Sequence, residues 1–154
     1  MFCYAAVFAL WLVQIALATP LPVPQALERR VTHVGRGTWY DPSGSEGNCG
    51  YWDSDSSPVV AISLARYDAN NGANCNQASL SSSPSERVSF PRQQWIQITN
   101  TANGKVAYGK TRDSCVSCDT SSLDMSPSLF EELAPLSTGE ITISWHFMNA
   151  DWSP

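Results

Sequence analysis

The stretch Tyr108–Leu136, YGKTRDSCVSCDTSSLDMSPSLFEELAPL, decides the fold. A β-type run ends in Asp113, and a tight Cys115-x-x-Cys118 loop follows it. A second acid, Asp124, stands two residues before Ser126-Pro127, an N-cap serine with proline in the favoured first helical position. Leu129, Phe130 and Leu133 then form an apolar stripe at helical spacing that stops before Pro135. The segment packs a strand, two carboxylates, a cysteine loop and a helix start into under thirty residues.

Working outward, the neighbouring segments read as strands. Trp95–Asn100 and Lys105–Asp113 flank Asn103-Gly104, the strongest short hairpin signal in the chain. Trp95, Gln97 and Thr99 alternate with Ile96 and Ile98, the period of a half-buried strand. Downstream, Glu140–Met148 alternates Ile141, Ile143, Trp145 and Phe147 with polar positions. Upstream, Val34–Tyr40 reads as a first strand with its turn at Asp41–Gly44, and Val59–Ala65 as a buried one. Residues 68–86 are rich in Asn, Ser and Gly and read as a long surface connection. Many short strands, long loops and one short helix predict a small, mainly β barrel.

The N-terminal residues stand apart. Phe2–Ala18 is almost entirely apolar, ends Ala16-Leu17-Ala18 and is short for a membrane-spanning helix, so residues 1–18 read as a secretory signal peptide. Residues 19–30, TPLPVPQALERR, read as a Pro-rich propeptide ending in the dibasic pair Arg29-Arg30. The domain is then 31–154, of single-domain size and expected as an extracellular monomer. The whole chain has a net charge of −5, and loss of Glu28, Arg29 and Arg30 makes it one unit more negative. An acidic surface without a basic run argues against nucleic acid or anionic membrane as partner.

Cys3 leaves with the signal peptide, so Cys49, Cys75, Cys115 and Cys118 remain. An even count in a small secreted chain implies two disulfides with three possible pairings. Zinc would want two close ligand pairs where this chain has one, so no metal is expected. No nucleophile elbow, zinc-protease motif or phosphate loop occurs, and His33 and His146 are isolated, so no cofactor is expected.

Two constellations are candidates for function. Asp113, at a strand end, is either a functional acid or an acid that caps loop N–H groups. Asp124 is either a functional acid or a helix-start stabiliser. Glycosidases pair carboxylates at separations of about 5 to 9.5 Å. Among the aromatics, Trp145 falls in phase with the core, whereas Trp39, Tyr40, Tyr51 and Trp52 flank turn-rich loops beside Cys49 and suit stacking on sugar rings or on a protein.

The segments GRGTWYDPSGSEGNCGYW, WIQITNTANGKVAYGKTRDSC and VSCDTSSLDMSPSLFEELAPLSTGEITISWHF together resemble the double-psi β-barrel family of rare lipoprotein A, barwin, expansin domain 1 and the small fungal loosenins. The resemblance covers nearly all of Gly35–Met148. It implies a six-stranded barrel whose groove binds polysaccharide, with Asp124 matching the acid required for wall loosening and Asp113 and Thr38 beside it. The barwin-like pattern implies Cys49–Cys75, leaving Cys115–Cys118. The tyrosine that expansins place shortly after the upstream acid is replaced around Cys115, and the early histidine of the lytic branch has no counterpart in GSEGNCGYW. A second carbohydrate-binding domain, as in full expansins, is not expected, because the chain ends about six residues past the last strand. The expectation is therefore non-hydrolytic loosening of cellulose, chitin or a related glycan. The alternatives are a secreted protein-interaction module, either a cysteine-protease inhibitor or an effector, and a glycan-cleaving enzyme using Asp113 and Asp124.

Overall fold

The structure, a computed structural model, describes residues 31–75, 77–79, 90–92, 94–149 and 152–154. The segments read as signal peptide and propeptide lie outside the described residues, as does much of the connection at 68–86. Six strands close a barrel: β1 (His33–Trp39), β2 (Val59–Ser63), β5 (Trp95–Asn100), β6 (Val106–Cys115), β7 (Leu123–Met125) and β8 (Ile141–Phe147). Around the barrel the order is β1-β7-β2-β6-β5-β8. Two of the pairings, β1 with β7 and β2 with β6, are parallel and the rest antiparallel. The short strands β3 (Gln77–Ser79) and β4 (Phe90–Arg92) form a separate two-stranded sheet.

The hairpin forms around residues 101–105, with β5 and β6 paired Ile96↔Gly109 and Ile98↔Ala107. Gly104 takes a φ of 74°, a left-handed conformation that glycine adopts without a Cβ clash. Asn100 and Asn103 each donate a side-chain N–H to the Leu133 carbonyl, at 3.2 and 3.0 Å, tying the hairpin to the helix C-terminus. That helix is α2 (Pro127–Leu133). Its start differs from the sequence reading in one respect: the Ser126 side chain makes no capping bond and instead donates to the Ser57 carbonyl at 2.6 Å. Beside α2 there is a second, shorter helix, α1 (Leu64–Ala69), where the strand reading at Val59–Ala65 ran on too far. Ser63 ends β2 because its hydroxyl accepts the Arg66 N–H and caps α1.

Inward positions of five of the six barrel strands, all but β1, supply the core: Val60, Ile62, Ile96, Ile98, Ala107, Leu123, Met125, Ile143 and Trp145, joined by Leu129, Phe130 and Leu133 of α2. Trp145 is buried and its indole N–H still finds a partner, the Ser121 carbonyl at 2.7 Å. Since Leu123 and Met125 point inward, the period of two turns Asp124 to the outer wall.

Candidate functional site

The barrel register assembles the site. Thr38 on β1 pairs with Asp124 on β7, Asp124 pairs with Ala61 on β2, and Ala61 pairs with Asp113 on β6. Residues abreast on neighbouring strands share a face, so Thr38, Asp124 and Asp113 stand in one row on the outer wall. Ala61 adds almost no bulk between the acids. They lie two strand spacings apart, about 10 Å between backbones.

A bulge brings Asp113 into that row. The β2–β6 register steps from Val60↔Thr111 to Ala61↔Asp113 and skips Arg112. The extra residue leaves Arg112 and Asp113 together on the outer side while Thr111 stays buried. Arg112 lies under the Tyr51 ring, 3.8 Å from its centroid, and pairs with Asp53 at 3.2 Å.

The two acids have different surroundings. Asp113 is engaged by the protein: Oδ1 accepts the backbone N–H groups of Asn48 and Ser114 at 2.8 and 2.7 Å, and Oδ2 accepts the Tyr40 hydroxyl at 3.4 Å. It anchors the 45–52 loop, whose Gly47 lies so close that a Cβ there would meet the Arg112 carbonyl at 2.7 Å. Asp124 is half-buried, and its Oδ1 accepts the Thr38 hydroxyl at 2.7 Å. It does not serve as the α2 cap, since α2 has no acid in its first turn and Asp124 belongs to β7. Burial raises the Asp124 carboxyl above its usual range, aided by the negative Asp113, while the Thr38 hydroxyl and Arg36 pull the other way.

Tyr40 donates to Asp113 and lies within the field of both acids. Its phenol is raised well above its usual range, first by burial and then by the charges of Asp113 and Asp124. It therefore stays a neutral donor at any physiological pH. The resemblance places a phenol shortly after Asp113, where this chain has Cys115; the structure brings a phenol in from the end of β1 instead. The signal was available, since Thr38 and Tyr40 are two apart and share a face.

Of the other aromatics, Trp39 is exposed at the rim with its indole N–H on the Leu136 carbonyl at 3.1 Å, and Trp52 is 70% exposed. Tyr51 is half-buried over Arg112. Trp95, Tyr108 and Trp152 make a separate cluster away from the row: Trp152 meets Tyr108 at 4.7 Å and Trp95 at 6.1 Å between ring centroids. These rings clasp the C-terminal residues to β5 and β6. Disulfides join Cys49 to Cys75 and Cys115 to Cys118, with Cα separations of 5.3 and 5.4 Å.

The raised Asp124 carboxyl has a stability consequence. The folded state holds that proton more tightly than the unfolded chain, so ionisation subtracts stability above the folded pKa. The penalty disappears below the unfolded value of 3.8. Asp124→Asn keeps an acceptor for Thr38 and is expected to melt above the wild type at neutral pH. Its advantage should shrink as the pH falls towards 3.8; melting curves that coincide at every pH would contradict this.

A closed six-stranded barrel with parallel β1–β7 and β2–β6 pairs is a double-psi β-barrel. The chain belongs to the double-psi β-barrel family of rare lipoprotein A and the expansins, which also holds a papain inhibitor. It is 30% identical over 117 residues to the papain inhibitor of Streptomyces mobaraensis, spanning 75% of this chain and 71% of that one. The solved Streptomyces papain inhibitor superposes with a TM-score of 0.56 at 28% identity, over 77% of this chain and 96% of that one. Two structures of the Clavibacter michiganensis expansin, a mutant in complex with cellohexaose and the apo form, each match with a TM-score of 0.58, at 22% and 24% identity. They share the fold, and each match covers 80% of this chain but only 54% of the expansin. No family model matches the chain.

Proposed function

We propose that this is a secreted, expansin- or loosenin-like protein that binds cell-wall polysaccharide along the outer-wall row and loosens it without cleaving it. One observation carries the reading: the half-buried Asp124, held by Thr38 from a strand 86 positions away in sequence, shares its face with Asp113 and the Tyr40 phenol. A fixed carboxylate beside a neutral hydroxyl donor competes well for sugar hydroxyls. Inter-chain hydrogen bonds contribute only about 1 kcal/mol each, so such competition can part glycan chains without covalent chemistry. The engagement of Asp113 by two backbone N–H groups and a phenol argues against its acting as a mobile acid or base, and so against the cleaving alternative. Trp52, exposed on the loop that Asp113 anchors, supplies a flat apolar face for sugar rings, whereas Trp39 lies opposite Met125 on the other side of β1 from Thr38.

The test is a pull-down on cellulose, chitin, xylan and peptidoglycan. The wild type is expected to be retained by at least one of them, and Asp124→Ala to lose about tenfold or more in affinity with its fold intact. Equal retention of the variant, or no retention of the wild type, would sink the reading. Release of reducing ends or anhydro-sugars would replace it with the enzymatic one.

A second reading, inhibition of a papain-like cysteine protease, is favoured by the 30% identity to a papain inhibitor over 71% of that protein. Inhibition of papain by the wild type is its direct test.

A further inference from the structure

Among the described residues, the two most exposed large apolar side chains are Val116, 82% exposed, and Trp52, 70% exposed. They lie on the two loops that the two disulfides clamp. Cys115–Cys118 closes the turn that carries Val116, and Cys49–Cys75 fixes the 45–52 loop that leads to Trp52. The 45–52 loop is also stitched to the end of β6 that runs into the 115–118 turn. The Asn48 side-chain amide donates to the Ser114 hydroxyl, its backbone N–H donates to Asp113, and the Cys49 N–H donates to the Arg112 carbonyl at 3.2 Å. The residues on either side of Trp52 are held by one side chain, since Arg112 stacks under Tyr51 and pairs with Asp53. Trp52 is thereby held out into solvent by neighbours that cannot follow it.

Exposed apolar groups on mobile loops bind poorly, because ordering each loop on association costs free energy. Here that ordering is already present in the free protein. A rigid aromatic and a rigid aliphatic anchor at one end of β6 have the make-up of an interface hot spot. We infer that the two clamped loops, with Val116 and Trp52 as anchors, form the face that seats in the substrate cleft of a papain-like cysteine protease. The inference rests on the second reading above and names the surface that performs it. The 5.4 Å Cα separation across Cys115–Cys118 makes residues 115–118 a tight turn. A protease cleft takes its substrate extended, in the manner of an added strand. Val116 can therefore fill an apolar pocket while the bonds beside it stay out of line for attack, and the loop blocks the cleft without being cut.

The experiment measures inhibition of papain by the wild type, Val116→Asp, Trp52→Ala and, as a control, Val106→Ser, which alters an exposed apolar residue at the start of β6. The first two variants are expected to raise the inhibition constant about tenfold or more each, and the control to leave it unchanged. Removing the clasp with Cys115→Ser/Cys118→Ser is expected to make residues 115–118 cleavable, read by mass spectrometry after incubation with papain. A wild type that inhibits while Val116→Asp and Trp52→Ala inhibit equally well would overturn the inference and leave the second reading standing. A wild type that does not inhibit would remove both. An unclasped variant that stays uncut and fully inhibitory would overturn the part given to the turn.

Discussion

Phe130→Ala is expected to lower the unfolding free energy by about 3–5 kcal/mol. Phe130 is completely buried and comes from the middle of α2, where it joins Leu129 and Leu133 against inward residues of the barrel strands. Truncation removes the favourable burial of the ring and leaves a void that strands locked in a closed hydrogen-bonded cycle cannot collapse to fill. Small domains hold only about 5–15 kcal/mol in all, so this loss takes a large share of the total. It should appear as a lower urea midpoint with an unchanged slope, and a melting temperature reduced on the order of 10 °C. A cost below about 1 kcal/mol would mean that α2 does not seal the core as its burial indicates.

The parts of the fold that were legible beforehand are those written locally. The period of two in β5 and β8, Asn103-Gly104 in the hairpin and Ser126-Pro127 at the helix start each need only a few consecutive residues. Closure is a non-local fact. Strand β7 is three residues long, and what makes it a strand is its fit between β1 and β2 rather than any propensity of Leu-Asp-Met. The same holds for the site. Local sequence left Asp124 with two roles, and the choice between them depends on Thr38, far away in the chain. The bulge that turns Arg112 and Asp113 to one side leaves no mark in KTRDSC. Arg112 therefore carries no local signal of its position. Its place beneath Tyr51 and beside Asp53 organises the loop over the site.

Removing the longer disulfide is the second large effect, and it reaches the site as well as the core. Cys49–Cys75 spans 26 residues, and the chain-entropy relation gives it about 3.5 kcal/mol; Cys115–Cys118 spans only 3 and by the same relation gives about 1.6 kcal/mol. Cys49→Ala/Cys75→Ala should therefore lose about twice as much stability as Cys115→Ala/Cys118→Ala when the two are compared by urea unfolding. The larger loss also has a structural route. Cys49 sits between Asn48, which donates to Asp113, and the turn at Gly50 that returns the chain to Tyr51. Without the bond, that loop loses its one covalent tie and is left with weaker contacts, among them the hydrogen bonds to Arg112, Asp113, Ser114 and Tyr67 and the stacking of Tyr51 on Arg112. The row would lose the fixed position of Asp113 before the barrel itself unfolds. In conditions where the variant is still folded, its retention on the polysaccharide that binds the wild type should fall, whereas Cys115→Ala/Cys118→Ala should keep it. Equal stability costs for the two pairs would refute the loop-length argument. Full retention by the Cys49→Ala/Cys75→Ala variant would show that the row needs no help from the loop above it.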